Sequence, residues 1–167
     1  MRFLAFALLL LPMMARADRE DDIAWIKLTV VIYGQSIDEQ EAHLLSHGFS
    51  EKGAERVREY IKRGDETLRD QEKQLLEAMC SRRTQIEEGG PGIFAQETEY
   101  VRTRMSEIRK TLVVNLQDTL SPTDAIHLDH LLRHHNVTVL DSEIPRKILE
   151  GIIPVRPTLD KLCNIGE

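Results

Sequence analysis

The chain has 167 residues and a formal net charge of −6 at pH 7, with 28 acidic and 22 basic side chains. This length suits one domain with a substantial apolar core. The acidic balance argues against nucleic acid as a primary partner, because binding to a phosphate backbone needs clustered Lys and Arg. The basic residues between positions 56 and 63 alternate with acidic ones, which is typical of a solvated helix face.

Residues 1–17 have the pattern of a cleavable export signal. Arg2 precedes the apolar run 3–11, and Ala15-Arg16-Ala17 supplies the small-x-small cleavage pattern. The run is shorter than the roughly 20 apolar residues that cross a bilayer, so no membrane span is expected. Cleavage would remove two of the 22 basic residues and none of the 28 acidic ones, leaving a charge of −8. We therefore predict that residues 18–167 form a single helical domain in the periplasm or outside the cell.

The mature chain begins with two predicted helices. Residues 23–33 are apolar on nearly every side, and their β-branched side chains favour a strand locally. Helix-start residues before them and Gly34 after them favour a helix, which we predict. Ser36-Ile37-Asp38-Glu39 is a capping box, and it begins a second helix that ends near His47.

The centre of the chain predicts a long helical hairpin. Helices are expected over 51–62 and, after Gly64-Asp65, up to about Ile86, followed by a glycine-rich turn at 88–92. Residues 94–119 then carry the strongest helical periodicity, because apolar residues recur every three or four positions. We predict that this helix packs antiparallel to the helix before the turn.

The C-terminal part completes an all-α prediction. Ser121-Pro122-Thr123-Asp124 is a helix start whose helix ends near His135, and 137–140 is expected to be extended. Residues 145–151 form a last short helix, followed by a loose tail at 154–157. The predicted fold class is therefore an all-α, single-domain helical bundle of about five to seven helices around a long antiparallel helical hairpin.

The chain has two cysteines, Cys80 and Cys163. In an oxidising compartment they would most simply form a disulfide with each other, which would fix the C-terminal tail to the helix carrying Cys80. The alternative is two free thiols, one of which forms an intermolecular bond. No Cys-x-x-Cys motif is present, so redox catalysis of the thioredoxin type has no support.

The histidines form the one constellation with metal-binding potential. The motif His-Leu-Leu-x-His occurs twice, as His43/His47 and as His130/His134, each on a predicted helix. Spacing of four places both imidazoles on one face, which is how helices chelate zinc, copper or nickel. The site would be His130 with His134, completed by His43 and His47 or by Asp129. The alternatives are solvated or helix-capping imidazoles, or a pH sensor.

Enzymatic motifs are otherwise missing from the sequence. There is no Gly-x-Ser-x-Gly, no dinucleotide glycine fingerprint and no phosphate loop. The chain has acidic pairs such as Glu39 with Glu41 and Glu97 with Glu99, so an exported hydrolase that uses carboxylate catalysis remains a hypothesis. On exposed helices such pairs are more typical of a solvated surface.

The segment Leu120-Ser121-Pro122-Thr123-Asp124 resembles the Leu-Thr-x-x-Gln signature of small helical periplasmic stress chaperones. The match covers five residues and lacks both the threonine and the glutamine. The resemblance implies an exported, mostly α-helical protein of similar length. We expect a non-enzymatic interaction protein that is envelope-associated or chaperone-like and needs no cofactor. Such a protein could be a homodimer. A metal-binding protein is the alternative, and an exported hydrolase is the third hypothesis.

Overall fold

A computed structural model of the chain describes residues 22–32, 36–134 and 143–164. Within these ranges the chain forms seven α-helices and no strand, which confirms the all-α prediction. In chain order the helices are α1 (Asp22–Ile32), α2 (Ile37–Ser46), α3 (Glu51–Cys80), α4 (Arg83–Thr119), α5 (Pro122–His134), α6 (Ile144–Leu149) and α7 (Val155–Cys163). The predicted export signal, His135 and the predicted extended segment 137–140 lie outside the described residues.

The described residues group into two compact units. Unit 1 contains α1, α2, α5, residues 51–65 of α3 and residues 107–119 of α4. Unit 2 contains residues 66–80 of α3, residues 83–106 of α4, α6 and α7. Among all described residues, no helix is long and apolar enough to cross a membrane.

The core of unit 1 contains α1, for which the helix prediction is confirmed. Trp25 and Leu28 of this helix are fully buried, and α1 contacts α5. The short helix is stable because its apolar residues are buried, although its β-branched side chains would suit a strand. Other buried apolar residues of unit 1 include Leu44, Phe49, Val57, Ile61, Val113, Leu116, Leu128 and Leu131.

The two predicted helix starts of unit 1 are also confirmed. In the capping box, Ser36 Oγ accepts from the Glu39 amide at 3.3 Å, and Glu39 Oε2 accepts from the Ser36 amide at 2.7 Å. These hydrogen bonds from Ser36 hold the pKa of Glu39 below its usual value. At the start of α5, Ser121 Oγ accepts from the Asp124 amide at 3.1 Å.

The predicted break at Gly64-Asp65 is wrong, because α3 runs unbroken from Glu51 to Cys80. Gly64 is buried against the indole of Trp25, and a Cβ added there would lie 2.3 Å from Trp25 Cη2. The glycine therefore allows a close approach between a helix backbone and an aromatic ring rather than ending the helix.

The glycine-rich segment forms a kink inside α4. Only Gly90 leaves the helical conformation, with φ at 69° and ψ at −158°. The predicted helix end at Ile86 is wrong, since α3 ends at Cys80 and Ile86 belongs to α4. In unit 1, Arg56 of α3 donates a hydrogen bond to the Thr119 carbonyl at the end of α4.

Unit 2 has a small apolar core and a helical C-terminus. Its buried core residues are Met79, Ile86, Phe94, Ala95, Ile148 and Leu159. The predicted loose tail at 154–157 is wrong, because Val155–Cys163 is a helix with Pro154 at its N-cap. Pro157 lies in the first turn, where a missing amide hydrogen removes no helical hydrogen bond.

Candidate functional site

His130 and His134 lie side by side on the solvent-exposed face of α5. Their Nε2 atoms are 3.1 Å apart and their ring centroids are 4.2 Å apart. Both side chains are exposed. The four-residue spacing therefore places the two imidazoles on one helix face, with their Nε2 atoms within hydrogen-bonding distance.

His43 and His47 form the second pair, near the end of α2. Their ring centroids are 4.7 Å apart at an interplanar angle of 65°, and both side chains are partly buried. The backbone amide of His47 closes the last turn by donating to the His43 and Leu44 carbonyls. This pair is therefore less open to solvent than His130 and His134.

The described part of the chain does not complete a metal site around either pair. Among residues 22–32, 36–134 and 143–164, no group of three or more His, Cys, Asp or Glu side chains is arranged to hold a metal ion. Asp129, which the sequence offered as a third ligand, accepts a hydrogen bond from Gln117 Nε2 at 2.5 Å. Within the described residues, His130 and His134 thus form a pair of imidazoles without a third metal-binding side chain arranged beside them.

A polar cluster that the sequence did not predict lies between the starts of α3 and α5. Asp124 is 4% exposed. Its Oδ1 accepts from the Ser50 amide at 2.8 Å, and its Oδ2 accepts from the Ser50 and Ser121 hydroxyls at 2.7 and 2.8 Å. Ser50 Oγ in turn accepts from the Gly53 amide at 3.0 Å. One carboxylate therefore joins the N-terminal caps of two helices.

The electrostatics of this cluster favour the ionised carboxylate. Burial opposes ionisation of Asp124, but the hydrogen bonds from Ser50 and Ser121 and the nearby His127 outweigh it, so the pKa of Asp124 lies below its usual value. A carboxylate with a lowered pKa is a weak base, and both serine hydroxyls donate to it rather than to an imidazole. The arrangement suits helix capping better than nucleophilic catalysis.

A cavity of about 240 Å³ adjoins this cluster in unit 1. Lys52, Arg56 and Leu120 line it together with the serines and Asp124. The helix N-termini that would otherwise attract a bound anion already have an anion, the Asp124 carboxylate. The only signal for this cluster in the sequence was the Ser121–Asp124 helix start, because Ser50 is 74 residues away along the chain.

Of the acidic pairs considered for hydrolysis, Glu97 and Glu99 are both held by arginines. Arg82 donates to both carboxylate oxygens of Glu97, at 2.8 and 2.7 Å. Hydrogen bonds from Arg102 hold the pKa of Glu99 below its usual value, although partial burial opposes this. A general acid needs a raised pKa, so the lowered pKa of Glu99 favours a structural role for this carboxylate.

In unit 2 the predicted disulfide is present. The Sγ atoms of Cys80 and Cys163 are 2.08 Å apart, and the bond closes a sequence separation of 83 residues. It joins the end of α3 to the end of α7, and Arg83 forms an ion pair with Asp160 of α7. The C-terminal helix is thus fixed by one covalent and one ionic contact.

Unit 2 also has four apolar side chains on its two long helices that are not fully buried, Leu68 and Leu75 of α3 and Val101 and Met105 of α4, and we call this set of residues the α3–α4 seam. All four side chains are only partly buried. Residues 66–78 of α3 contain no buried side chain at all. Tyr100, next to Val101, is 53% exposed.

No protein-family model, curated protein or solved structure matches the chain.

Proposed function

We propose that the protein is an exported, non-enzymatic interaction protein that binds apolar, helix-forming segments of other polypeptides, in a chaperone-like manner. The α3–α4 seam is the observation that supports this function. Its four side chains recur at helical spacing along two long helices, and solvent still reaches each of them. An amphipathic segment could cover such a seam with its own apolar face.

Export is supported by the disulfide and by the N-terminal sequence. Disulfides persist in the periplasm and outside cells and are rare in reducing compartments. The export test is N-terminal sequencing of the protein recovered from its native host. We expect the mature chain to begin at Asp18, and recovery of a cytoplasmic protein that retains residues 1–17 would contradict export.

Binding is tested by the ability of the mature chain to suppress aggregation of a chemically unfolded client protein. We expect suppression at near-stoichiometric amounts, followed by light scattering. Substituting Leu75→Gln and Val101→Gln together should abolish most of it, because polar amides on the seam remove the apolar contact. The matched control is Ile126→Gln, which replaces an apolar side chain that is 66% exposed in unit 1.

The variants must be shown to fold before their activity is compared. Far-UV circular dichroism checks the helices, and fluorescence of the single tryptophan, Trp25, checks unit 1. A wild-type chain that does not suppress aggregation would contradict the proposed function. Equal loss of suppression in the Ile126→Gln control would contradict the assignment to the seam.

Metal binding at His130 and His134 is the second candidate, supported by the 3.1 Å separation of the two Nε2 atoms. The expected result is a rise in melting temperature with zinc, copper or nickel. It should vanish when both histidines are replaced by alanine, and it should persist in the control with His43→Ala and His47→Ala. No rise with any of the three metals would contradict this candidate.

A further inference from the structure

The Nε2 atoms of His130 and His134 lie within hydrogen-bonding distance of each other, a separation that two ligands of one divalent ion can also have. Zinc binds imidazole nitrogen at about 2.0–2.1 Å, and two nitrogens 3.1 Å apart at that distance subtend an angle of about 98° at the ion. This angle lies between the square-planar and tetrahedral values. Zinc, copper or nickel could therefore bind without a change of the helix or of the spacing between the two rings.

The pair supplies only half of the ligands that such an ion takes. Zinc is almost always four-coordinate when protein side chains hold it. No third His, Cys, Asp or Glu is arranged beside the pair in the part of the chain that the structure describes. Asp129, the nearest acidic residue in sequence, is hydrogen-bonded to Gln117. The described residues thus leave the other two coordination positions of such an ion unfilled.

The surface around the pair is open to a second molecule. His130 and His134 are both exposed, and Ile126 lies one helical turn before His130 on the same stripe of α5. Ile126 is 66% exposed, so an apolar side chain sits beside the chelating nitrogens. A two-fold symmetric contact would place the same residues of a second copy opposite, and each copy would then cover the other's Ile126.

We infer that a divalent metal ion joins two copies of this chain through the His130 and His134 pair of each copy. Four imidazole nitrogens then surround the ion, which suits zinc, copper or nickel. Only the Nε2 lone pairs are used, so no bond is broken and no redox partner is needed. Such a dimer presupposes the metal binding proposed above and adds its stoichiometry and its partner.

The test uses the mature, disulfide-bonded chain, produced without a polyhistidine tag because a tag would bind the same metals. Molecular mass is measured by light scattering after size-exclusion chromatography, with EDTA or with zinc, copper or nickel. Isothermal titration gives the number of ions per chain. We expect a monomer with EDTA, and a dimer with one ion per two chains for at least one metal.

Variants locate the interface. His130→Ala and His134→Ala should each abolish the metal-dependent dimer, while the matched control with His43→Ala and His47→Ala should retain it. Ile126→Asp should weaken the dimer without changing either ligand. Because His130 and His134 are exposed, their replacement is expected to leave the melting temperature in EDTA unchanged.

The outcomes separate the dimer from metal binding itself. One ion per chain with an unchanged monomeric mass would overturn the dimer and leave the metal-binding candidate intact. No binding of any of the three metals would overturn both. A metal-dependent dimer that survives in the His130→Ala, His134→Ala double variant would place the bridge elsewhere and overturn the inference.

Discussion

In unit 1 the apolar residues of several helices are buried together, and a buried carboxylate joins the starts of two of them. In unit 2 a smaller set of buried residues, including Met79, Phe94 and Leu159, is supplemented by a disulfide and exposed ion pairs. Small cores commonly need such covalent support, because they bury too little apolar surface to offset the chain entropy lost on folding. Because the disulfide lies in unit 2, a reducing environment is expected to destabilise unit 2 more than unit 1.

The largest expected effect is loss of the disulfide. Replacing Cys80 and Cys163 together by serine should lower the free energy of unfolding by about 2–4 kcal/mol, because a long loop gains entropy in the unfolded chain. Urea unfolding followed by circular dichroism measures the loss. Hydrogen exchange should show faster opening of α7 than of α1, and equal acceleration in both units would contradict the comparison. Reductant added to the wild type serves as the control.

Loss of the buried charge of Asp124, in unit 1, should cause the next largest decrease in the free energy of unfolding. Asp124→Asn should cost about 2–3 kcal/mol, because the new NH₂ group cannot accept a hydrogen bond and must face either the Ser50 amide at the Oδ1 position or the two serine hydroxyls at the Oδ2 position. Urea unfolding monitored by Trp25 fluorescence measures the change. The matched control is Asp118→Asn, since that carboxylate is exposed. Similar stability in both variants would contradict the role of Asp124.

The difference in stability between the wild type and Asp124→Asn should also depend on pH. The pKa of Asp124 is lower in the fold than its usual value, so the fold favours the ionised form. Its stabilising contribution is complete above the unfolded-state pKa of about 3.9 and is lost as the pH falls through the lower folded-state value. The stability gap between the wild type and Asp124→Asn should therefore narrow as the pH is lowered from 6 to 2. A constant gap would contradict the lowered pKa.

Filling the space at Gly64 should reduce stability by an intermediate amount. Gly64→Ala should cost about 1–3 kcal/mol, because the added Cβ would lie 2.3 Å from Trp25 Cη2 in a filled core. Thermal unfolding and a shift of Trp25 fluorescence measure the effect. Gly92→Ala is the matched control, since no atom lies within 4 Å of its added Cβ. That control should be neutral or stabilising by up to about 1 kcal/mol, because alanine favours a helix.

The smallest effect is expected for an exposed ion pair of unit 2. Arg82→Ala removes both hydrogen bonds to Glu97 and should cost about 0.2–1 kcal/mol, because water and salt screen the pair. Thermal unfolding at low and high salt measures it, and the cost should shrink with salt. Lys73→Ala is the control, since its ion pair with Glu77 is longer, at 3.9 Å. A cost comparable to loss of the disulfide would contradict the ranking.

Local chemistry determined much of this protein from the sequence alone. The capping box at Ser36 and the cap at Ser121 depend on neighbours three residues away, so the chain order specifies them. The His130 and His134 pairing follows from helical periodicity in the same way. The disulfide was predictable because a chain with two cysteines allows one internal pairing.

Tertiary structure decided the features that depend on distant residues. Gly64 was interpreted as a break because its partner, Trp25, lies 39 positions earlier in the chain, and only the folded core shows why a glycine is needed there. Asp124 was interpreted as a first-turn acid, and its contact with Ser50 arises only when α3 and α5 pack in unit 1. The C-terminal helix likewise forms where Leu159 is buried. Periodicity specifies which residues face one another within a helix, but packing between helices decides which side chains meet.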